Sequence, residues 1–436
     1  MAKIKTPETK LKKARRLKKL FLGLEIFFVV IIVTLATIWF VPPAKRAFIE
    51  GISQTCIGKM FIKWFGSEAY EKGIFDNEFD KSKLTKNKLK YDYSKEYLNF
   101  VMFGVDSRNG EVDTSNSDSI LIVSIHNTTG KVKMVSVYRD TMLGIYGKDG
   151  SLSRYFKVNS AMSNGGPEAA INTLNKNLDL DLTDYVTVNF AGVAEIIDTL
   201  GGIEVNLTDD ELSQLNKHLK STKSSTGRKS KKIKKSGKNI KLNGMQAATY
   251  CRIRKATFID PETGDRISND FGRAARQRSV IKKLVEKAKS AGMSQLEEMV
   301  DTVLNADSKE KRIISTSFDF DAIINMIPVL FDFDLDGSQG FPATLQTGTF
   351  SGASYVIPQG LAANVTKLHE FLYDEKNYQP TSTVISAGSV ITNQTGISEL
   401  SSGYDPLTAE GSEKVEPVKK SNDYDYNDHW KSEFFK

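Results

Sequence analysis

Cysteine and histidine are both scarce in this sequence. Its 436 residues include two cysteines and four histidines. Cys56 and Cys251 are far apart and belong to no CxxC pair, so the sequence supports neither a disulfide framework nor a thiolate metal site. The histidines are scattered without ligand spacing, which argues against zinc. Any bound metal is therefore expected to be a hard cation with oxygen ligands.

The composition is that of a globular protein with an excess of positive charge. Hydrophobic residues make up 40% of the chain and charged residues 26%, and the length suits one large or two ordinary domains. The net charge of +7 favours an anionic partner, whether a membrane surface, nucleic acid or a phosphorylated substrate.

The longest apolar stretch runs from Leu20 to Val41 and ends at two prolines. Its length matches the roughly 20 residues of a membrane-spanning helix and exceeds the roughly 7–15 of a signal peptide's apolar region. No clear small-x-small cleavage site follows. We therefore predict an uncleaved transmembrane helix, with a signal peptide as the alternative.

Positive charge around this stretch predicts its orientation. Nine Lys and Arg residues precede it, and three occur in the twenty residues after it. Because Lys and Arg are retained on the cytoplasmic side, the N-terminus is expected to be cytoplasmic. The protein is thus predicted to cross the cell membrane once, with its folded domain extracellular.

Strand and helix patterns alternate from Tyr97 onward. Three strand patterns come first, and Asn127–Gly130 is a turn sequence between the second and third. Helical periodicity follows over Pro167–Leu178, Val193–Leu200 and about 272–290, and a strand, ASYVIP, and a helix over Leu361–Tyr373 close the domain. This order predicts an α/β fold, a mixed central sheet sandwiched by helices, preceded by one transmembrane helix.

Composition adds the remaining boundaries. A dense run of Lys, Arg, Ser and Gly between Lys217 and Lys241 predicts a flexible loop. This loop is either merely solvated or attracted to anionic cell-surface polymer or lipid, and its extracellular position argues against nucleic acid. The predicted organisation is a cytoplasmic basic segment (1–19), a transmembrane helix (20–41), an extracytoplasmic stalk (42–96), a catalytic domain (97–375) with the basic loop (217–241), and a disordered tail (376–436).

Acidic and basic residues cluster at predicted strand and helix ends. Asp106 follows the first strand and Asp118 begins the second, so both are expected at one end of the sheet. Two neighbouring carboxylates suit Mg²⁺, which also accepts phosphate oxygens. Taken singly, each acid also fits an ordinary surface turn, and their convergence is the reason to assign a site. Arginine binds phosphate oxygens bidentately, so a pyrophosphate clamp is expected from Arg252, Arg254, Lys255, Arg273 and Arg276.

Seven segments carry a family resemblance. They are, in order, FGVDSR, SDSILIVSI, SVYRDTML, KVNSAMSNGGPEAAINTLNKNL, YVTVNFAGVAEIIDTLGGIEV, LNGMQAATYCRIRK and DFGRAARQRSVI. This set resembles the LytR-CpsA-Psr family of cell-wall glycopolymer transferases over about 98–290, and more loosely as far as Tyr373.

The resemblance implies a membrane-bound enzyme. Such an enzyme transfers teichoic acid, capsular polysaccharide or a similar polymer from a polyprenyl pyrophosphate carrier to peptidoglycan through a phosphodiester, with Mg²⁺, or alternatively Mn²⁺, assisting. Asp106 and Asp118 would bind the metal. The implied catalytic residues are Asp106, Asp118, Arg139 and Asp140, and the implied substrate-binding residues are Arg108, Arg139, Lys157, Arg252, Arg254, Arg273, Arg276 and Gln277.

The carrier's isoprenoid chain requires an apolar slot. Residues that suit its lining, or equally the ordinary core, are Ile171, Leu174, Phe190, Val193 and Ile197. The sequence departs from the family pattern at Tyr138, where proline is common, at Arg278, where a second glutamine is usual, and by the long basic insertion. No departure removes a charged site residue.

Two other functions compete with transfer. A polyprenyl pyrophosphate hydrolase differs only in that water attacks, and a non-catalytic lipid-linked glycan binder or regulator of the envelope would not need the paired acids. Direct DNA binding is not expected, because the nineteen residues before the predicted span are too few for a DNA-binding domain.

Overall fold

The structure is a computed structural model that describes residues 76, 78–106, 112, 115–226, 228–261, 263–290, 313–318 and 333–399. The predicted cytoplasmic segment (1–19) and transmembrane helix (20–41) lie outside these ranges. Among the described helices, none is both long and apolar enough to cross a membrane.

The described residues contain a six-stranded mixed sheet and several two-stranded sheets. The strands are β1 (Tyr97–Val105), β2 (Ser117–His126), β3 (Lys131–Val137), β4 (Met142–Tyr146), β5 (Leu152–Lys157), β6 (Asp184–Asn189), β7 (Ile203–Leu207), β8 (Gly237–Leu242), β9 (Phe258–Ile259), β10 (Arg266–Ile267), β11 (Ile314–Thr316), β12 (Asp334–Phe341), β13 (Leu345–Phe350) and β14 (Ala353–Pro358). The six-stranded sheet has the order β11-β6-β1-β2-β3-β12. Within it, β1, β2 and β3 are antiparallel neighbours, whereas β6 runs parallel to β1 and β12 runs parallel to β3.

Helices cover both faces of the sheet. They are α1 (Ser160–Leu178), α2 (Phe190–Thr199), α3 (Asp209–Thr226), α4 (Gly244–Tyr250), α5 (Asn269–Ser290), α6 (Leu361–Tyr373) and α7 (Ser382–Thr395). Alternate strand residues such as Val101 and Phe103 pack with α1, α6 and α7 in one core cluster. Met102 and Leu121 face the other way, toward α2 and α5. Because side chains alternate along a strand, the sheet separates two apolar layers. The predicted mixed α/β sandwich is therefore present.

Residues 78–96 were predicted to be part of a stalk, but they pack against the domain. Tyr93 is buried and stacks on Tyr373 with ring centroids 3.9 Å apart. Asn87 donates to Asp179 Oδ1 at 2.6 Å, just beyond the end of α1. The stalk prediction missed these contacts because short 3₁₀ turns leave no periodic hydrophobic pattern.

The predicted disordered tail is also partly wrong. Residues 382–395 form α7, whose Val384, Ala387 and Ile391 are buried in the core. The backbone and side chain of Thr381 donate to Asp179 at 2.8 and 2.7 Å. The Ser- and Thr-rich composition hid a helix with a small-residue face. Residues 400–436 lie outside the described ranges.

The predicted basic loop is largely ordered structure. Lys217 belongs to α3, and the end of the run forms β8, which pairs with β7. Ile233 lies between α3 and β8, and its backbone exchanges two hydrogen bonds of 2.9 Å with the side chain of Asn216 in α3. The segment is thus attached to α3, and its lysines extend from a supported backbone.

Candidate active site

Two acids meet at one end of the central sheet, as predicted from their positions beside β1 and β2. Arg252 donates to Asp106 Oδ2 at 3.0 Å, and Arg139 donates to Asp118 Oδ1. Each carboxylate is therefore already held by a guanidinium. The charge-assisted bonds fix the carboxylates and leave their remaining oxygens for other partners.

Arg139 lies at the centre of a chain of charges. Besides Asp118, its Nε is 3.5 Å from Asp140 Oδ2 and 3.6 Å from Asp270 Oδ2. Lys157 continues the chain, with its Nζ 2.9 Å from Asp140 Oδ1. Burial opposes the charge on Arg139, but the three carboxylates outweigh it and raise the pKa of the guanidinium.

Asp270, at the start of α5, was not among the predicted site residues. Its carboxylate is 2.9 Å from Arg273 Nη2 and 3.4 Å from Arg254 Nε, in addition to the approach to Arg139. It therefore holds three arginines from three elements beside one another. The sequence signal was its position three residues before Arg273, a spacing that brings side chains together on a helix.

Arg273 is almost fully buried and donates to the backbone carbonyl of Asp118 at 3.0 Å. Burial lowers its pKa to about 10, with Asp270 opposing the shift and Arg139 and Arg254 adding to it. The side chain is thus still a cation at neutral pH. A positively charged group with little access to water adds strongly to the local field.

The segment after α4 presents two further arginines. Asn243 and Gln246 form a capping box that begins α4, each side chain accepting from the other's backbone N–H at 2.9 Å. The chain then turns, and Ile253 is buried between Arg252 and Arg254. The turn brings Arg252 and Arg254 to the lining of the same cavity.

These side chains surround a cavity of about 290 Å³, here called the cationic cavity. Its lining is Asp106, Asp118, Phe190, Gln214, Lys217, His218, Ser221, Arg252, Arg254, Lys255 and Arg273. The pKa of His218 is lowered by burial and then by Arg252, Lys217, Lys255 and Arg254. The cavity therefore carries a positive field that suits an anionic ligand.

A second, apolar cavity of about 150 Å³ adjoins it. Asp118 and Phe190 line both cavities. The apolar cavity lies between the sheet and helices α2 and α5, with Val193, Val280 and Leu284 in its lining. Together the two cavities provide adjoining charged and hydrophobic surfaces.

Part of the predicted lining of the apolar slot is wrong. Phe190 and Val193 line the cavity, but Ile171, Leu174 and Ile197 are buried in the cores. Ile171 and Leu174 belong to α1, on the opposite face of the sheet from the cavity. Periodicity alone does not tell which face of the sheet a helix covers.

Arg276 was predicted to bind substrate, but it does not line the cationic cavity. Its side chain is fully buried and donates to Glu211 Oε1 at 2.8 Å, Ile253 O at 3.1 Å and Ala256 O at 2.6 Å. Arg276 therefore fixes the segment that carries Arg252 and Arg254 without lining the cavity itself. Gln277 lies in the apolar cavity and donates to Cys251 O at 3.3 Å. Arg108 lies outside the described residues.

A hard cation fits this donor set in one respect. Asp106 Oδ1 is buried and has no hydrogen-bond partner among the described residues, and Asp118 lines the same cavity. The part of the chain that the structure describes contains no group of three or more His, Cys, Asp or Glu side chains arranged to hold a metal. Phosphate oxygens or waters would have to complete the coordination of Mg²⁺.

Comparison with known proteins identifies the family. The sequence pattern of the LytR_cpsA_psr family matches residues 66–326. The chain belongs to this family. The family match begins before Tyr97, in agreement with the packing of residues 78–96 on the domain, and includes the residues around both cavities.

Two relatives and one solved structure illustrate what this chain is similar to. The polyisoprenyl-teichoic acid--peptidoglycan teichoic acid transferase TagU of Bacillus cereus is 31% identical over 192 residues, which cover 44% of this chain and 53% of the relative. Biofilm regulatory protein A of Streptococcus mutans is 31% identical over 195 residues, 44% of each chain. The chain thus spans about half the length of the curated relatives it matches. The crystal structure of protein gbs0355 from Streptococcus agalactiae has 24% identity and a TM-score of 0.52 over 68% of this chain and 95% of that one, a similarity of fold.

Proposed function

We propose that this protein is an Mg²⁺-dependent phosphotransferase that moves a glycopolymer from a polyprenyl pyrophosphate carrier to peptidoglycan. The observation that carries the proposal is the junction of the cationic and apolar cavities at Asp118 and Phe190. A polyprenyl pyrophosphate has an anionic head and an apolar tail, so adjoining cavities of these two kinds suit it. The relatives named as teichoic acid transferases support the polymer class.

The arginines would bind the pyrophosphate. Arg254 is the most exposed of them, with 47% of its side chain accessible. Its guanidinium faces Asp270 through Nε and can form a bidentate contact with phosphate through its other N–H groups. Arg252 stacks 4.7 Å from the centre of the Phe190 ring, at the junction of the cavities. It would therefore bind the phosphate nearest to the prenyl chain.

Asp106 and Asp118 would hold Mg²⁺. When bound there, the ion would neutralise charge on the pyrophosphate oxygens. Arg252 and Arg139 keep one oxygen of each carboxylate in place. The carboxylates are thus oriented before substrate arrives, and little reorganisation accompanies the reaction.

The proposed transfer needs two reactants, the carrier-linked glycopolymer and a hydroxyl group of peptidoglycan. A peptidoglycan hydroxyl oxygen attacks the phosphorus attached to the glycopolymer and forms the new P–O bond. The bond from that phosphorus to the bridging oxygen breaks, and polyprenyl phosphate leaves. The hydroxyl proton passes to a carboxylate, for which Asp140 is the candidate, because Asp106 and Asp118 are assigned to Mg²⁺. Asp140 lies beside Lys157 and Arg139.

The transmembrane prediction fits this substrate. An anchor over 20–41 with a cytoplasmic N-terminus would hold the domain at the outer face of the cell membrane. The carrier lipid and the wall acceptor meet there. The proposal therefore includes an extracellular catalytic domain on a single-pass protein.

The test is a transfer assay with the full chain in detergent. It combines a polyprenyl pyrophosphate-linked saccharide, a peptidoglycan fragment, and either Mg²⁺ or excess chelator. We expect polyprenyl phosphate and a phosphodiester-linked saccharide to appear together, only with Mg²⁺. Release of saccharide phosphate without linkage would identify a hydrolase, and tight binding without turnover would identify a non-catalytic binder. Either result would overturn the proposal.

A further inference from the structure

A third cavity, of about 560 Å³, lies on the face of α5 that points away from the cationic and apolar cavities. Helix α5, the β9–β10 hairpin and strand β12 enclose it. Its residues on α5 include Arg278, Ser279 and Lys282, whereas Arg273 and Gln277 face the other two cavities. We call it the Arg278 cavity.

Arg278 is the unusual member of this lining. Its side chain is about nine-tenths buried, with 9% relative exposure. Among the described residues, neither its Nε nor its Nη1 has a hydrogen-bond partner. Burial lowers its pKa, against the weaker influence of Tyr138 and Asp260. A desolvated guanidinium with unpaired N–H groups costs free energy that a bound anion would recover.

The rest of the lining does not suit a bare anion. Ser279, Ser338 and Gln339 offer hydroxyl and amide groups. The charged residues of the lining besides Arg278 are of both signs, namely Asp260, Asp265, Asp336, Glu286, Lys282 and Lys283. Their carboxylates accept hydrogen bonds and disfavour a ligand of high negative charge. The volume lies within the roughly 300–1,000 Å³ of small-molecule sites and far exceeds what one phosphate needs. Acceptors and donors in addition to one buried cation suit a polyhydroxylated ligand with a single acidic group.

Both single-residue departures from the family pattern line this cavity. They are Tyr138 and Arg278. Tyr138 lies so close to β12 that a Cβ at Gly340 would come 1.9 Å from its hydroxyl oxygen, so glycine is required there. Its ring also packs edge-on against Phe271, with centroids 4.5 Å apart. Both side chains that depart from the family pattern thus contribute to the lining of this cavity.

We propose that the Arg278 cavity binds an acidic saccharide, whose carboxylate or phosphate pairs with Arg278 and whose hydroxyls contact Ser279, Ser338, Gln339 and Asp265. The site lies outside the cationic cavity and does not depend on the transfer reaction. The acidic group of the ligand would accept hydrogen bonds from Nε and Nη1 of Arg278, which have no such partner among the described residues.

Calorimetric titration of the full chain in detergent tests the proposal without any lipid substrate. The probes are a disaccharide with one uronic acid carboxylate, its neutral counterpart, glucose 6-phosphate, and inorganic phosphate. We expect at least one acidic sugar to bind at least tenfold more tightly than the neutral disaccharide and than inorganic phosphate. Arg278→Gln should abolish this preference, whereas Lys287→Gln, on the same helix outside the cavity, should keep it.

Thermal melting accompanies each titration. Arg278→Gln should melt no lower than the wild type, because it removes an unpaired buried charge. If it fails to fold, Ser279→Asp gives the same test, since it adds a carboxylate beside Arg278 to those of Asp260, Asp265, Asp336 and Glu286 and should weaken acidic sugars at least tenfold. Equal binding of neutral and acidic sugars, of phosphate and acidic sugars, or of wild type and folded variants would overturn the proposal, as would no binding at millimolar concentration.

Discussion

Arg276 donates its Nε hydrogen to Glu211 Oε1 at 2.8 Å, and both side chains are almost completely inaccessible to water. The same guanidinium donates to Ile253 O and Ala256 O. This ion pair joins α5 to α3 underneath the segment that carries Arg252 and Arg254. The shape of the cationic cavity therefore depends on a residue that does not touch it.

Arg276→Met should lower the free energy of unfolding by about 3–5 kcal/mol, because it leaves Glu211 buried without a counter-charge. Urea unfolding of the full chain measures this loss. The double variant Arg276→Met with Glu211→Leu removes both charges and should recover most of it. A single variant that unfolds normally but loses substrate binding would instead make Arg276 a ligand-binding residue.

Arg254→Lys and Arg273→Lys should each weaken binding of a polyprenyl pyrophosphate-linked saccharide by about 10- to 100-fold. This fold-change corresponds to the free energy of one lost hydrogen bond to a charged group. Lysine keeps the charge but cannot bind bidentately. Equilibrium binding at one ionic strength measures the change. Arg266→Lys, an exposed change on β10, is the matched control.

Neutralising Lys229, Lys231 and Lys232 provides the electrostatic comparison. This change should alter only association that is sensitive to salt. If it and the arginine variants cause equal, mild losses, the cavity acts as a general positive surface and contains no specific pyrophosphate clamp.

Asp106→Ala and Asp118→Ala should each remove measurable Mg²⁺ binding and slow transfer on the order of a hundredfold. Calorimetric titration with Mg²⁺ gives a readout that does not depend on turnover. Asp92→Asn, in an exposed 3₁₀ turn, should change neither. The metal assignment is refuted if both alanine variants bind Mg²⁺ and turn over as the wild type does, or if transfer continues in excess chelator.

His369 should make stability fall as the pH drops. Its ring is buried, with Nε2 3.1 Å from Leu178 O and the ring stacked on Tyr378. Burial lowers its pKa below the usual 6.5, although the Leu178 carbonyl and nearby acids oppose the shift. Below about pH 6.5 the unfolded chain therefore binds a proton that the folded chain does not, which costs at most about 1.4 kcal/mol per pH unit.

Urea unfolding between pH 7.5 and 5.0 measures this slope. His369→Gln keeps an N–H for Leu178 O and should flatten the slope relative to the wild type. Ser389→Ala, an exposed change on α7 that involves no titratable group, should leave the slope unchanged. Parallel curves for wild type and His369→Gln would show that the ring does not control this dependence.

The predicted orientation can be tested with a reporter enzyme fused after Lys436. Because the positive charge precedes residues 20–41, the reporter should be active only outside the cytoplasm. Paired fusions to a periplasm-type and a cytoplasm-type reporter control for expression. Activity restricted to the cytoplasmic reporter would reverse the orientation.

The sequence predicted the parts of the fold that have strong periodicity. The β2–β3 hairpin, the helix after Gly166 and the helix over 361–373 are all present. Residues 152–157 and 334–341 were not predicted as strands. β12 reads DLDGSQGF and has no β-branched residue, so its parallel pairing with β3 depends on tertiary contacts that local propensity does not encode.

The sequence predicted correctly those site residues whose position follows from the ends of strands. It failed for residues whose position depends on the direction in which a side chain points. Asp106 and Asp118 share a cavity because β1 and β2 are antiparallel neighbours. Arg273 and Arg276 were expected to face one ligand because helical spacing allows it. Glu211 draws Arg276 inward, and Asp270 holds Arg273 at the cavity. Glu211 cannot be identified as the partner of Arg276 without knowing how α3 and α5 pack, whereas the three-residue spacing of Asp270 and Arg273 is already visible in the sequence.

Asp179 sets the shortest fragment of this chain that can be expected to fold. Its carboxylate accepts from Asn87 on the incoming side and from Thr381 on the outgoing side. A fragment cut to the predicted boundaries of 97 and 375 would lose both partners and leave this buried carboxylate bare. A recombinant fragment that begins before residue 78 and continues through 399 would retain both Asn87 and Thr381, which lie on either side of the Asp179 carboxylate.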